Sequence, residues 1–207
     1  MHWCDGILRA RVVSRTVDLA YPPGGLLAAF EGRDAVMLES SALHPTYGRY
    51  SILACSPLEV MTLSDSLLRD WGGNVLAGPD RRSLWAALAG ALRPLELTEK
   101  PDDAGYLPGW IGYVGYEVGR LIEQLPGRAP PDTHLPDLRL AFYDALLVYD
   151  AVMRRWQLVE LVFDSPPAGA GRAAEALREI IAGASPGRCE PEPAPVEDAD
   201  AAARPAA

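Results

Sequence analysis

Glu39 and Ser40 close the apolar stretch DAVMLES (Asp34 to Ser40), and Arg49 follows nine residues later. A carboxylate can accept an ammonium group, a hydroxyl beside it can donate or accept, and a guanidinium can grip a carboxylate with two parallel bonds. This strand end is the first place in the sequence where chemistry could sit. The bland alternative uses the same residues: Arg49 pairs with Glu39 at the surface, where an ion pair stabilises little. Sequence alone leaves both open.

Other chemistries find less support. His2, His44 and His134 are far apart, and Cys4, Cys55 and Cys189 form no CxxC pair. Neither set has metal-ligand spacing or suggests a disulfide framework. Ser51 lies in no GxSxG elbow, so no hydrolase triad is expected. No metal site and no catalytic residue is assigned to the chain.

The stretch LPGWIGYVGYEVGRLIE (Leu107 to Glu123) is rich in glycine, but Gly109, Gly112 and Gly115 recur every third residue. That is neither GxGxxG nor a phosphate loop ending in GK[ST]. Glycine also lets one backbone lie close against another, so the three glycines and Tyr116 are read as a packed strand-to-helix corner. Trp110, Tyr113 and Tyr116 are expected in the core, because no basic residues stand near them to make a base-stacking surface. Beyond Tyr116, Val118, Leu121, Ile122 and Leu125 take helical spacing with Glu117 in the first turn, before Pro126 and Gly127.

The elements that must position these residues are mostly strands. Ile7 to Val17 reads as an edge-like strand, and LLAAF after Pro22-Pro23 as a short helix. RYSILA (Arg49 to Ala54) and LEVMTL (Leu58 to Leu63) suit two strands around a tight connection. Asp80 to Leu92 carries Leu84, Leu88, Ala91 and Leu92 on one helical face, with Asp80 or Ser83 as N-cap. LAFYDALLVYD from Leu140 and WQLVELVF (Trp156 to Phe163) read as an antiparallel hairpin, and Ala173 to Ala182 as a helix. Strands in runs without strict βαβ alternation predict an α+β fold: a largely antiparallel sheet domain with a few packed helices.

Composition bounds the rest. About half of the residues are hydrophobic, enough for one sizeable core. The formal net charge of -9 disfavours nucleic acid and anionic membrane as partners. No apolar run is long enough to span a bilayer, and the scattered cysteines suit a reducing cytoplasm. Residues 184–207 hold five prolines, five acids and two arginines, with Val196 the only large aliphatic residue. Such a segment cannot offset its ordering entropy, so the expected division is a domain over 1–183 and a disordered, linker-like tail over 184–207.

The glycine stretch resembles the GGxxGYxGYE region in the N-terminal half of component I of the chorismate-utilising enzymes, aminodeoxychorismate synthase and anthranilate synthase. MLESSALHPTYGRYSILACSP, LPGRAPPDTHLPDLRLAFYDALLVYD and the hairpin strand after it resemble the same family, in the same order, across most of Asp34 to Phe163. Pro108, Gly109 and Trp110 depart from the pattern where a double glycine is usual. HPTYGRYS is similar to the His-Pro-Tyr-x-Arg-Phe type of loop in aminodeoxychorismate synthases.

The resemblance implies a role in converting chorismate and an amino group to aminodeoxychorismate, for p-aminobenzoate and folate, or to anthranilate, for tryptophan. It also implies that chorismate and magnesium bind a large C-terminal domain. The 44 residues after Phe163 supply only one helix and the tail, so that domain is expected outside this sequence and the chain alone is expected to be inactive. The partners implied are the chorismate-binding catalytic domain, in cis or in trans, and a glutamine amidotransferase subunit. In matching anthranilate synthases the LES strand end forms part of a tryptophan feedback pocket, which makes Glu39, Ser40 and Arg49 effector-site candidates. A stand-alone aromatic amino-acid-binding module is the other class of reading.

Overall fold

The computed structural model describes residues 7–40, 42, 44, 47–92, 95–102, 104–124, 126 and 134–184. His2, Cys4, Leu125, Gly127, Cys189 and all of the expected tail except Ala184 lie outside the described residues. The strands are β1 (Leu8–Val17), β2 (Val36–Leu38), β3 (Tyr50–Ala54), β4 (Glu59–Ser64), β5 (Leu67–Arg69), β6 (Val75–Ala77), β7 (Leu95–Glu99), β8 (Gly109–Val114), β9 (Leu138–Tyr143), β10 (Ala145–Asp150) and β11 (Arg155–Phe163). Helix α1 (Arg81–Ala91) lies between β6 and β7, α2 (Arg172–Gly183) follows β11, and 3₁₀ segments cover Pro23–Phe30 and Tyr116–Leu121.

Two sheets form, in the orders β2-β3-β10-β11-β1-β7 and β6-β5-β4-β9-β8. Every pairing is antiparallel except β1 with β7, so the class is α+β. Ala10, Val12, Ile52, Val148, Val159 and Leu161 of the first sheet share one core with Val60, Ala141 and Tyr143 of the second. On the other side of the first sheet, Leu177 and Ile180 of α2 pack with Leu53, Leu147, Trp156 and Leu158. Leu84 and Leu88 of α1 likewise cover Met61, Leu63, Leu68 and Leu138 of the second sheet. Each buried leucine stabilises by about 1.5–3 kcal/mol relative to leaving it in water.

The sheets share their strand runs, which bears out one expectation and corrects another. RYSILA and LEVMTL do form strands, but β3 pairs with β2 and β10 while β4 pairs with β5 and β9. LAFYDALLVYD divides at Asp144 into β9 of the second sheet and β10 of the first, and only β10 makes the hairpin with β11. The physical reason lies in the side chains. β10 is buried at almost every position, with no polar face to turn to water, so its strand must lie between two covered layers.

β1 is not an edge strand. It lies between β11 and β7, with Ala10 and Val12 facing the core and Arg9 and Arg15 balanced by Glu96 and Glu160 at 3.0 and 3.7 Å. The arginines that suggested an edge occupy its outer face. α1 begins where Asp80 accepts the Ser83 N–H at 2.8 Å, which settles the N-cap.

The glycine stretch also differs from expectation past Gly115. Instead of an α-helix, a 3₁₀ segment covers Tyr116–Leu121, with Val118 N–H bonded to Gly115 O at 3.1 Å and Ile122 N–H to Gly119 O at 2.9 Å; Leu125 of the expected helix lies outside the described residues. The three-residue turn stacks Glu117 directly over Arg120, which pair. Val118 is buried in the core with Leu121 packed partly against it, and Ile122 is 68% exposed. Tyr113 and Tyr116 are exposed rather than buried; Trp110, half-buried, meets Phe142 edge-on at 5.4 Å. Among the described residues no helix is long and apolar enough to cross a membrane.

Candidate functional site

The end of β2, the start of β3 and the end of β10 meet at one end of the first sheet, through Leu38 opposite Ile52 and Tyr50 opposite Asp150. This convergence brings together Glu39 and Ser40, just past β2, with Arg49, just before β3. Glu39 and Ser40 are exposed, and Glu39 forms no ion pair with any described residue.

Arg49 is held elsewhere. Its Nε donates to Asp150 Oδ1 at 3.0 Å and its Nη2 to Asp150 Oδ2 at 2.6 Å, while its guanidinium carbon lies 4.9 Å from the centre of the Tyr50 ring. The expected alternative of a pair with Glu39 is therefore corrected: Arg49 binds both oxygens of Asp150, a buried carboxylate that needs a cation to offset its desolvation. Asp150 is 3% exposed and also accepts the N–H groups of Val152 and Met153, both at 3.1 Å. Burial works to raise its carboxyl, but Arg49 and those two N–H groups outweigh it and hold the pKa below the usual range. The hydrogen bond to Asp150 in turn lifts the Arg49 guanidinium above its ordinary value, against the effect of burial.

Tyr50 extends this cluster. Its ring meets Tyr106 edge-on at 5.5 Å, and a Cβ on Gly105 would fall 2.5 Å from it, so Gly105 is a close-approach glycine. Sequence reading missed Asp150, Tyr50 and Tyr106. The signal available was a carboxylate ending an otherwise apolar strand, which needs a cation to be buried.

The other candidate residues sit apart from this cluster, along β8. A Cβ on Gly112 would lie 1.9 Å from the backbone oxygen of Arg139, and one on Gly115 would lie 2.8 Å from that of Asp137. Gly109 faces open space. The 3₁₀ segment after them is anchored from α1: Arg81 donates to the carbonyls of Arg120 and Ile122, both at 3.0 Å, and Trp85 to that of Leu121 at 3.3 Å. The hollow beside it, lined by Leu63, Glu117, Val118, Arg120, Leu121 and Asp137, measures about 50 Å³. Small-molecule sites need several times that volume, about 300 Å³ or more.

Two buried groups remain. Asp144, at the crossing between sheets, accepts the Gly171 N–H at 2.6 Å with one oxygen; burial pushes its carboxyl pKa up. The Cys55 thiol is buried and its pKa is likewise pushed up by burial. His44 accepts the Tyr47 N–H at 3.1 Å and stacks on its ring, a loop contact. Among the described residues no three His, Cys, Asp or Glu side chains converge to hold a metal ion, so a magnesium site does not fit the residues described.

No family model matches the chain. It is 27% identical over 145 residues to aminodeoxychorismate synthase component 1 of Klebsiella aerogenes, covering 65% of this chain and 29% of that protein. It is 33% identical over 146 residues to anthranilate synthase component 1 of Cereibacter sphaeroides, covering 66% and 28%. The solved structure of anthranilate synthase component I from Streptococcus pneumoniae TIGR4 aligns with a TM-score of 0.44 at 23% identity, covering 79% of this chain and 34% of that one. The chain spans under a third of the length of the two curated relatives. Across that shared segment the chain is similar to the component I proteins of aminodeoxychorismate and anthranilate synthases, of the chorismate-utilising family.

Proposed function

We propose that this chain provides the non-catalytic N-terminal portion of aminodeoxychorismate synthase component I. The observation that carries this reading is the match of two-thirds of the chain to under a third of component I relatives. Chorismate and magnesium then bind a catalytic portion, in cis or in trans, and a glutamine amidotransferase subunit delivers ammonia. The loop HPTYGRYS favours the folate branch over the tryptophan branch.

The test is chorismate consumption with magnesium and an ammonium salt. The purified chain is expected to convert none, and turnover by the chain alone overturns the proposal.

A second reading rests on Glu39, exposed beside Ser40 and free of any ion pair with a described residue. In an anthranilate synthase component or a stand-alone binding module, Glu39 accepts an amino acid's ammonium with Ser40 beside it. The part of Arg49 not taken by Asp150 meets the ligand carboxylate. Calorimetric titration with tryptophan decides this one: no heat at millimolar ligand removes it.

A further inference from the structure

A sheet edge is a row of unpaired N–H and C=O groups, and folded proteins blunt such edges with shortness, charge or proline. Three of the four edges here are blunted. β2 and β6 are three residues long, the first followed by Glu39 and the second by Gly78-Pro79. β7 exposes Glu96 and Glu99. The fourth edge, β8, has six residues, GWIGYV, with no charge and no proline.

The register shows which groups it offers. Gly115 N–H bonds Asp137 O at 2.7 Å, in phase with the β8–β9 ladder. Alternation then pairs Gly109, Ile111 and Tyr113 with β9, and turns the N–H and C=O of Trp110, Gly112 and Val114 outward. No described strand pairs with that edge. Its end is also apolar: Tyr113 is 38% exposed, Val114 62% and Tyr116 83%.

We infer that β8 is a docking edge, extended by a strand from the part of component I that relatives carry outside the matched segment. This rests on the reading proposed above. The match covers only 29% and 28% of the two component 1 relatives, so most of their length lies outside it. An uncharged edge with an apolar rim suits an extended, uncharged segment as its occupant, because main-chain bonds supply affinity and alternate side chains the register.

The test places a photo-crosslinking residue at Val114, and separately at Leu38 on the β2 edge, in the full chain expressed in its source cells. Crosslinked peptides are then sequenced. Peptides of a chorismate-binding polypeptide captured from Val114 and not from Leu38 support the inference. Val114→Lys is then expected to weaken that association at least tenfold without lowering the melting temperature. Capture from Leu38 alone overturns the docking edge and leaves the component reading intact. Capture of a second copy of this chain from Val114 assigns the edge to self-association and overturns the inference. No chorismate-binding peptide from either position overturns the component reading as well.

Discussion

Arg49 and Asp150, 101 residues apart, are joined by two hydrogen bonds of 3.0 and 2.6 Å that tie the start of β3 to the end of β10. The pair commits two of Arg49's five N–H donors to the fold. It also makes stability depend on acid. Asp150 has a lowered pKa in the folded chain, so its contribution is present above the ordinary aspartate value of about 3.9 and is lost as pH falls below it. Arg49→Met is expected to raise the Asp150 pKa and move the acid-unfolding limb to higher pH. Carboxyl-carbon NMR titration checks the first and circular dichroism the second; an unmoved pKa refutes the role given to Arg49.

Asp144 predicts the opposite slope. Its pKa is raised by burial, against the pull of the Gly171 N–H, so the stability it contributes is complete below about 3.9 and is lost as pH rises through the raised value. Asp144→Asn removes that dependence. Urea unfolding at pH 4.5 and 7.5 is expected to show the variant gaining on the native chain at the higher pH. An equal difference at both would contradict the assignment.

Gly112 and Gly109 are three residues apart in one strand but face different surroundings. Gly112→Ala drives a Cβ into the Arg139 carbonyl, which as backbone cannot swing aside, and is expected to cost at least about 2 kcal/mol. Gly109→Ala meets nothing and should change stability by no more than about 1 kcal/mol. Denaturant midpoints of the two variants settle the contrast.

Asp80→Ala removes the cap of α1 and is expected to cost about 1 kcal/mol, read as a lower urea midpoint with an unchanged slope.

The sequence was most informative where local chemistry decides structure. Asp80 announces a helix start because its carboxylate can satisfy an amide only two or three residues ahead, and the β-branched runs became strands. What it could not tell was which sheet each strand would join. Asp144 sits inside an apolar run that continues on both sides, so nothing local marks the change of layer. The apolar spacing after Gly115 suggested a longer helix because periodicity counts apolar positions without asking whether a core exists to receive them; here Val118 is buried, Leu121 only partly, and Ile122 is exposed. At the strand end, Glu39 and Arg49 were identified as charged groups close in sequence, whereas the partner that wins, Asp150, lies far along the chain.

The pairing of β1 with β11 sets a timetable for biosynthesis. Ala10 lies opposite Phe163, and β1's only other neighbour, β7, begins at Leu95. A nascent chain must hold its first strand in waiting until nearly the whole domain has left the ribosome, since high contact order delays closure. Ribosome-bound chains arrested before Arg155 should therefore stay sensitive to protease in β1, and those arrested well past Gly183 should resist.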